Sequence, residues 1–193
     1  NNMIDLIKNL SIEVPFIGLL ISLLLFLGFA RVGKTITNSL NIYKPISKIS
    51  DLSYQNIIIG VNIIIVVLFP IILIFQNSLI ILKLFSTLLI ICGILELIII
   101  INSKKNFFNL VKKQNFKDLL IFFFIIIYFL LSIAPVTHGD SLDYHVSVAK
   151  IIAKTGNFPS DLNNIHNLLS GSGEVIMSLG YVFNSEQIGN LIQ

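Results

Sequence analysis

The chain has 193 residues, of which 55% are hydrophobic and 12% charged, and it carries a net charge of +3. A soluble domain carries about 25% charged residues, so a water-soluble globule is excluded. So small a positive balance does not call for nucleic acid, and the lone Cys92, set inside an apolar block, excludes an intramolecular disulfide and a cysteine-based metal site.

Four apolar blocks approach the length of about 20 helical residues that crosses ~30 Å of hydrocarbon. The first is 14–30, with Pro15 in its opening turn, where its missing N–H costs nothing. The second, 57–75, contains Pro70, which kinks a helix unless a neighbour satisfies the freed carbonyl. Asn77 and Ser78 then form a short turn into the third, 79–101. That block carries Lys83, able to snorkel to the interface, and Glu96, expected to face other helices. The fourth, 119–135, holds Phe122, Phe123, Phe124, Tyr128 and Phe129 and ends at Pro135. The expected fold is all-α: four transmembrane helices (residues 1–135), then an extracytoplasmic loop (136–193) with membrane-parallel amphipathic helices.

Charge between the blocks sets the expected orientation. The first long connection holds Arg31, Lys34, Lys44 and Lys48 against Asp51, a net +3. The second holds Lys104, Lys105, Lys112, Lys113 and Lys117 against Asp118, a net +4. After the fourth block, Lys150 and Lys154 face Asp140, Asp143, Asp161, Glu174 and Glu186, a net −3. Cations beside spans stay in the cytoplasm. Both basic connections are therefore expected inside, with the N-terminus, the Asn77 turn and the acidic segment outside.

The stretch Gly28-Phe29-Ala30-Arg31-Val32-Gly33-Lys34-Thr35 matches the G-x-x-x-x-G-K-[ST] pattern that cradles nucleotide phosphates. A P-loop follows a buried strand, whereas this one follows a long apolar run without strand alternation. The expected role of Arg31 and Lys34 is to anchor the inner face.

The acidic segment is where chemistry can reside. Leu142, Val146, Ala149 and Ala153 recur at helical spacing on one side, and Asp143, Ser147, Lys150 and Lys154 on another, with the two lysines expected to reach water. This predicts an amphipathic helix of roughly fourteen residues on the membrane surface, closed by Gly156. A turn-rich loop, 157–167, leads to a second helix from Gly173 to Phe183, with Ser172 as N-cap and Glu174 in its first turn. Ser185 is expected to cap a third helix that the chain end cuts short. With the Asn-Asn-Met start, this suggests a fragment of a longer protein.

His138, Asp140, Asp143 and His145 form H-x-D-x2-D-x-H, open to two metal readings: a tight zinc site, or looser magnesium or manganese binding with a substrate phosphate. A reading without chemistry stands beside them, with Asp140 as helix N-cap and Asp143 at the third helical position.

A span followed by Asp140, Tyr144, a helix ending Lys-Thr-Gly-Asn-Phe-Pro and a second helix opened by Gly-Ser-Gly-Glu resembles the first outer loop of GT-C glycosyltransferases. The likeness is to their RgtA/B/C/D-like and protein-mannosyltransferase-like branch, over residues 118–193. Many relatives have Asp-Glu where this chain has Asp140-Ser141, and three spans precede the one that is first in that family. The resemblance implies a polyprenyl-phosphate-linked sugar as donor, a glycan, lipid or protein acceptor, and a critical Asp in this loop.

Such a transfer needs a base for the acceptor hydroxyl and stabilisation of the departing phosphate. Asp140 and Asp143 are the expected catalytic pair, as base or as ligands of Mg or Mn, and Tyr144, His145, His166 and Glu174 the expected substrate-binding residues. The alternative is a non-enzymatic membrane protein, a transporter subunit or assembly factor, favoured by the intramembrane Glu96.

Overall fold

The computed structural model describes residues 15–40, 54–75, 78–102, 145–160 and 171–192, with 123–124, 126–127 and 130–131. All regular structure among them is helical. Three helices are long and apolar enough to cross a membrane: α1 (Pro15–Ser39), α2 (Tyr54–Ile74) and α3 (Leu79–Asn102). The chain is a membrane-embedded, all-α protein. Three such helices, not four, stand among the described residues. The expected fourth span lies mostly outside them, although Phe123, Phe124, Ile126, Ile127, Leu130 and Leu131 are helical and exposed.

Helix α1 runs nine residues past the expected end at Ala30. The extension is polar, but Thr35 and Ser39 return their hydroxyls to the carbonyls four residues back, and Thr37 to that of Lys34, so these three hydroxyls are satisfied within the helix. Helix α2 continues through Pro70.

Apolar attraction cannot drive these helices together in lipid, because the tails are as apolar as the side chains; close van der Waals approach must do it, and small residues permit it. Four glycines mark the contacts. A Cβ on Gly33 would overlap the Asn56 carbonyl, and one on Gly60 the Phe29 carbonyl, which sets α2 antiparallel to α1. A Cβ on Gly28 would overlap Leu89, and one on Gly93 would overlap Leu24. Because α2 runs back along α1 and leads into α3, and Arg31 stands beside Glu96, α3 crosses α1 in the parallel sense. Helices α2 and α3 each pack along α1, which is the central helix. Their outward sides expose Val66, Leu73, Ile80, Leu84, Leu88, Leu95 and Ile98, as a lipid-facing surface requires.

Three shorter helices, α4 (Ser147–Thr155), α5 (Ser172–Tyr181) and α6 (Gln187–Ile192), close the end of the bundle where α1 begins and α2 turns into α3. Helix α4 ends as expected at Gly156, whose φ of 75° is left-handed and whose N–H returns to Ile152. Gly156 is needed twice over, since a Cβ there would overlap the backbone of Leu79, and its carbonyl accepts the Ser78 hydroxyl. Phe158 then packs on Phe69, ring centroids 5.4 Å apart.

These helices do not simply lie on a surface. Residues Glu174 to Tyr181 are all buried, and α5 packs on α1, α2, α3 and α4. The reason is compositional: Val175, Ile176, Met177, Leu179 and Tyr181 are apolar around the whole helix, the pattern of an enclosed one. Val148, Ile152, Val175, Ile176, Leu179 and Ile188 share one core with Leu25, Phe29, Leu68, Ile72 and Leu82 of the long helices. Ser172 is the first helical residue rather than the cap, a position taken by extended Gly171. Ser185 does not spend its hydroxyl on its own helix: it donates to the Gly18 carbonyl at 2.6 Å and lies 2.7 Å from the Ser22 hydroxyl, pinning the cap to α1.

If glycine contacts hold the bundle, Gly28→Leu or Gly93→Leu will force the helices apart at a cost of about 1–3 kcal/mol, the usual range for overpacking. Gly173→Ala, which meets nothing within 4 Å, should be neutral or stabilising by up to about 1 kcal/mol. Thermal unfolding of the detergent-solubilised protein distinguishes them; equal melting temperatures for Gly28→Leu and Gly173→Ala would refute the packing scheme.

Candidate functional site

Two charged clusters are built into the structure, one near each end of the bundle. The first belongs to α1 and α3. Arg31 is sixteen residues beyond Pro15, about 24 Å along the helix at 1.5 Å per residue, which brings it near the far boundary of a hydrocarbon layer of ~30 Å. Its Nη1 donates to Glu96 Oε2 at 2.8 Å, and Lys34 Nζ lies 4.0 Å from Oε1. The Glu96 side chain is 1% exposed. It does face the other helices, and its burial is tolerable because two cations face it.

The nucleotide-like motif is thereby accounted for residue by residue. Gly28 and Gly33 are the close contacts of α1 with α3 and α2, Arg31 and Lys34 neutralise Glu96, and Thr35 bonds the Arg31 carbonyl. Arg31 and Lys34 thus do more than anchor. Breaking one side of a buried pair costs about 3–5 kcal/mol, whereas replacing both partners by apolar residues is often neutral. Arg31→Leu should therefore lower the melting temperature markedly and Arg31→Leu/Glu96→Leu should restore most of it; a double variant as unstable as the sum of the singles would contradict the pairing.

The second cluster lies in the cap. His145 stands in the turn that opens α4, and its Nδ1 is 2.6 Å from Glu174 Oε1, twenty-nine residues away on α5. The other carboxylate oxygen, Oε2, accepts the N–H of Gly171 at 2.7 Å, the return half of a capping box whose forward half glycine cannot supply. Both oxygens of a carboxyl that is 4% exposed are therefore engaged, while the His145 side chain is 39% exposed. A carboxylate offers only acceptors, so Nδ1 donates in this contact. Nearby, Lys150 Nζ donates to Glu186 Oε1 at 2.6 Å and sits 5.3 Å from the centre of the Tyr181 ring. Lys150 does not simply reach water, as expected from its helix face; it ties α4 to the α5–α6 turn.

Of the expected site residues, the structure brings His145 and Glu174 into direct contact. Asp140, Asp143, Tyr144 and His166 lie outside the described residues, as does His138. Among the described residues no three His, Cys, Asp or Glu side chains converge as a metal site would require, and the expected Mg or Mn ligands Asp140 and Asp143 lie outside those residues. The pairing of His145 with Glu174, and of Lys150 with Glu186, was beyond reach of sequence reasoning. The one signal was Glu174 at the third helical position, where one oxygen serves the cap and the other is left to recruit a donor.

Comparison with protein families matches residues 95–193, just over half of the chain, to the DUF1420 N-terminal domain. The chain belongs to the DUF1420 N-terminal domain family. The matched region begins in the last third of α3, beside Glu96, and takes in both helices that carry the His145–Glu174 contact. Within this DUF1420 domain Glu96 is included, but its partners Arg31 and Lys34 precede the matched residues. No curated protein and no solved structure matches the chain. The match names a domain and no activity, so the glycosyltransferase likeness of the loop motif stays a resemblance.

Proposed function

We propose that this DUF1420 protein is part of a membrane glycosyltransferase of GT-C type, moving a sugar from a polyprenyl phosphate to a glycan, lipid or protein acceptor. The reading places the cap on the outer face of a bacterial inner membrane, with the basic connections inside. The observation that carries it is the His145–Glu174 contact, 2.6 Å, in a cap packed against three membrane helices. It holds His145, two residues after Asp143 in the chain, against a buried carboxyl. A lipid-linked donor is amphiphilic, so its reacting centre must be met where polar side chains stand against a membrane bundle.

Asp140 and Asp143 serve in this reading as base or as ligands of Mg or Mn around the departing phosphate. Tyr144 and His166 complete the substrate-binding side. The competing reading, a transporter subunit or assembly factor, drew on Glu96. Its pairing with Arg31 and Lys34 gives Glu96 a structural task, which weakens that alternative.

The test uses the full-length protein in membrane vesicles supplied with undecaprenyl phosphate bearing a radiolabelled hexose. Transfer of label to membrane acceptors should occur, and Asp140→Asn or Asp143→Asn should reduce it at least 100-fold with insertion unchanged, within the usual range for loss of a catalytic acid or base. Absence of transfer with each of glucose, mannose and galactose as the hexose, or unchanged transfer by both variants, would overturn the reading.

A further inference from the structure

One side chain on the outer surface of the bundle does not suit lipid. Asn62 is exposed on α2, eight residues after Tyr54 and twelve before Ile74, about 12 and 18 Å of helix at 1.5 Å per residue. That depth is inside a hydrocarbon layer of ~30 Å, and an asparagine side chain is too short to reach either boundary as a lysine can. Its Nδ2 donates to the Ile58 carbonyl at 2.8 Å, and it makes no other hydrogen bond among the described residues. A carboxamide has two N–H groups and a carbonyl oxygen, so one donor and the acceptor are left facing hydrocarbon, which can bond neither. Thr87 on α3 is exposed too, but its one hydroxyl proton is spent on the Lys83 carbonyl.

We infer that the outward face of α2 is the interface between two copies of this chain, joined by Asn62 pairing across a two-fold axis along the membrane normal. Ile58, Asn62, Val66 and Pro70 form an exposed stripe, and Gly60, Ile64, Leu68 and Ile72 form the buried series. At 3.6 residues per turn these lie on opposite sides of the helix, so a further helix can dock on the stripe without displacing α1. Copies of one chain insert with one orientation, which sets the Asn62 of each at the same depth, and two-fold symmetry brings like against like. Asparagine is self-complementary: the free N–H of each donates to the free carbonyl oxygen of the other. Other occupants lack that chemistry. Acyl chains have no hydrogen-bonding group, and the six described residues of the fourth apolar block are Phe, Ile and Leu, themselves exposed. A single asparagine in an apolar seam also fixes the register and the number of helices that join.

The test uses the full-length protein with its own cysteines replaced. With a cysteine at Val66, one turn from Asn62 on the same stripe, mild oxidation in native membranes should give a covalent dimer as the main product. A cysteine at Leu84, exposed on the outward side of α3, should not. A Val66→Cys protein that stays monomeric, or that crosslinks no more than Leu84→Cys, would overturn the interface. In liposomes, energy transfer between differently labelled copies, followed as lipid dilutes the protein, gives the dimer dissociation constant. Asn62→Leu should raise it by about five- to thirty-fold, the worth of a hydrogen bond between membrane helices, and Asn62→Gln, which keeps the carboxamide, should lie nearer the unmodified protein. An unchanged constant in Asn62→Leu would overturn the pairing. A monomer in which the Val66→Cys thiol joins a cysteine placed at Tyr128 would give the face to the fourth apolar block and overturn the inference as well.

Discussion

Everything in this structure depends on the backbone of α1 touching the backbones of α2 and α3. In lipid there is no water to expel from between apolar helices, so their association rests on how closely they approach. Gly28, Gly33, Gly60 and Gly93 set that approach. Because α2 and α3 each pack along α1 and hardly along one another, the end of the bundle offers a place for further helices, and α5 takes it. The cap is therefore a consequence of how the spans pack, and the His145–Glu174 contact is a consequence of the cap.

The charges follow the same frame. Glu96 is stable in the bundle because the parallel crossing of α1 and α3 sets Arg31 and Lys34 against it. At the opposite end the polar groups bind the cap: Ser22 and Ser185 meet between α1 and the α5–α6 turn, Ser78 holds Gly156, and Lys150 holds Glu186. Each is a hydrogen bond or ion pair between elements far apart in sequence. Together they fix the α4–α5 geometry to which any chemistry at His145 must conform.

Much of the scaffold was legible in the sequence, since a run of about 20 apolar residues has few physical alternatives to a membrane helix. The Gly156 cap and the inward-facing Glu96 followed from similarly local rules. The glycines of the nucleotide-like motif could be refused as a P-loop, but their packing role needs the opposing backbones, which spacing within one helix cannot supply. The enclosure of α5 was written in residues 175–181, where Ser178 is the one polar side chain, leaving no side of the helix suited to water. The contact of His145 with Glu174 spans 29 residues and leaves no periodic trace. Asp140 and Asp143, legible as candidate acids, lie outside the described residues and keep the roles their chemistry suggests.

The segment carrying His145 and Glu174 is docked into the membrane bundle through contacts such as Ser22 with Ser185. Cysteines placed at both positions in a Cys92→Ser background test it directly, because the two hydroxyl oxygens stand 2.7 Å apart, close enough for their sulfurs to join after small side-chain rotations. Mild oxidation of Ser22→Cys/Ser185→Cys in native membranes should give an intramolecular disulfide in nearly all of the protein. Two freely alkylated thiols after oxidation would contradict the docking of the cap and the His145–Glu174 geometry that depends on it.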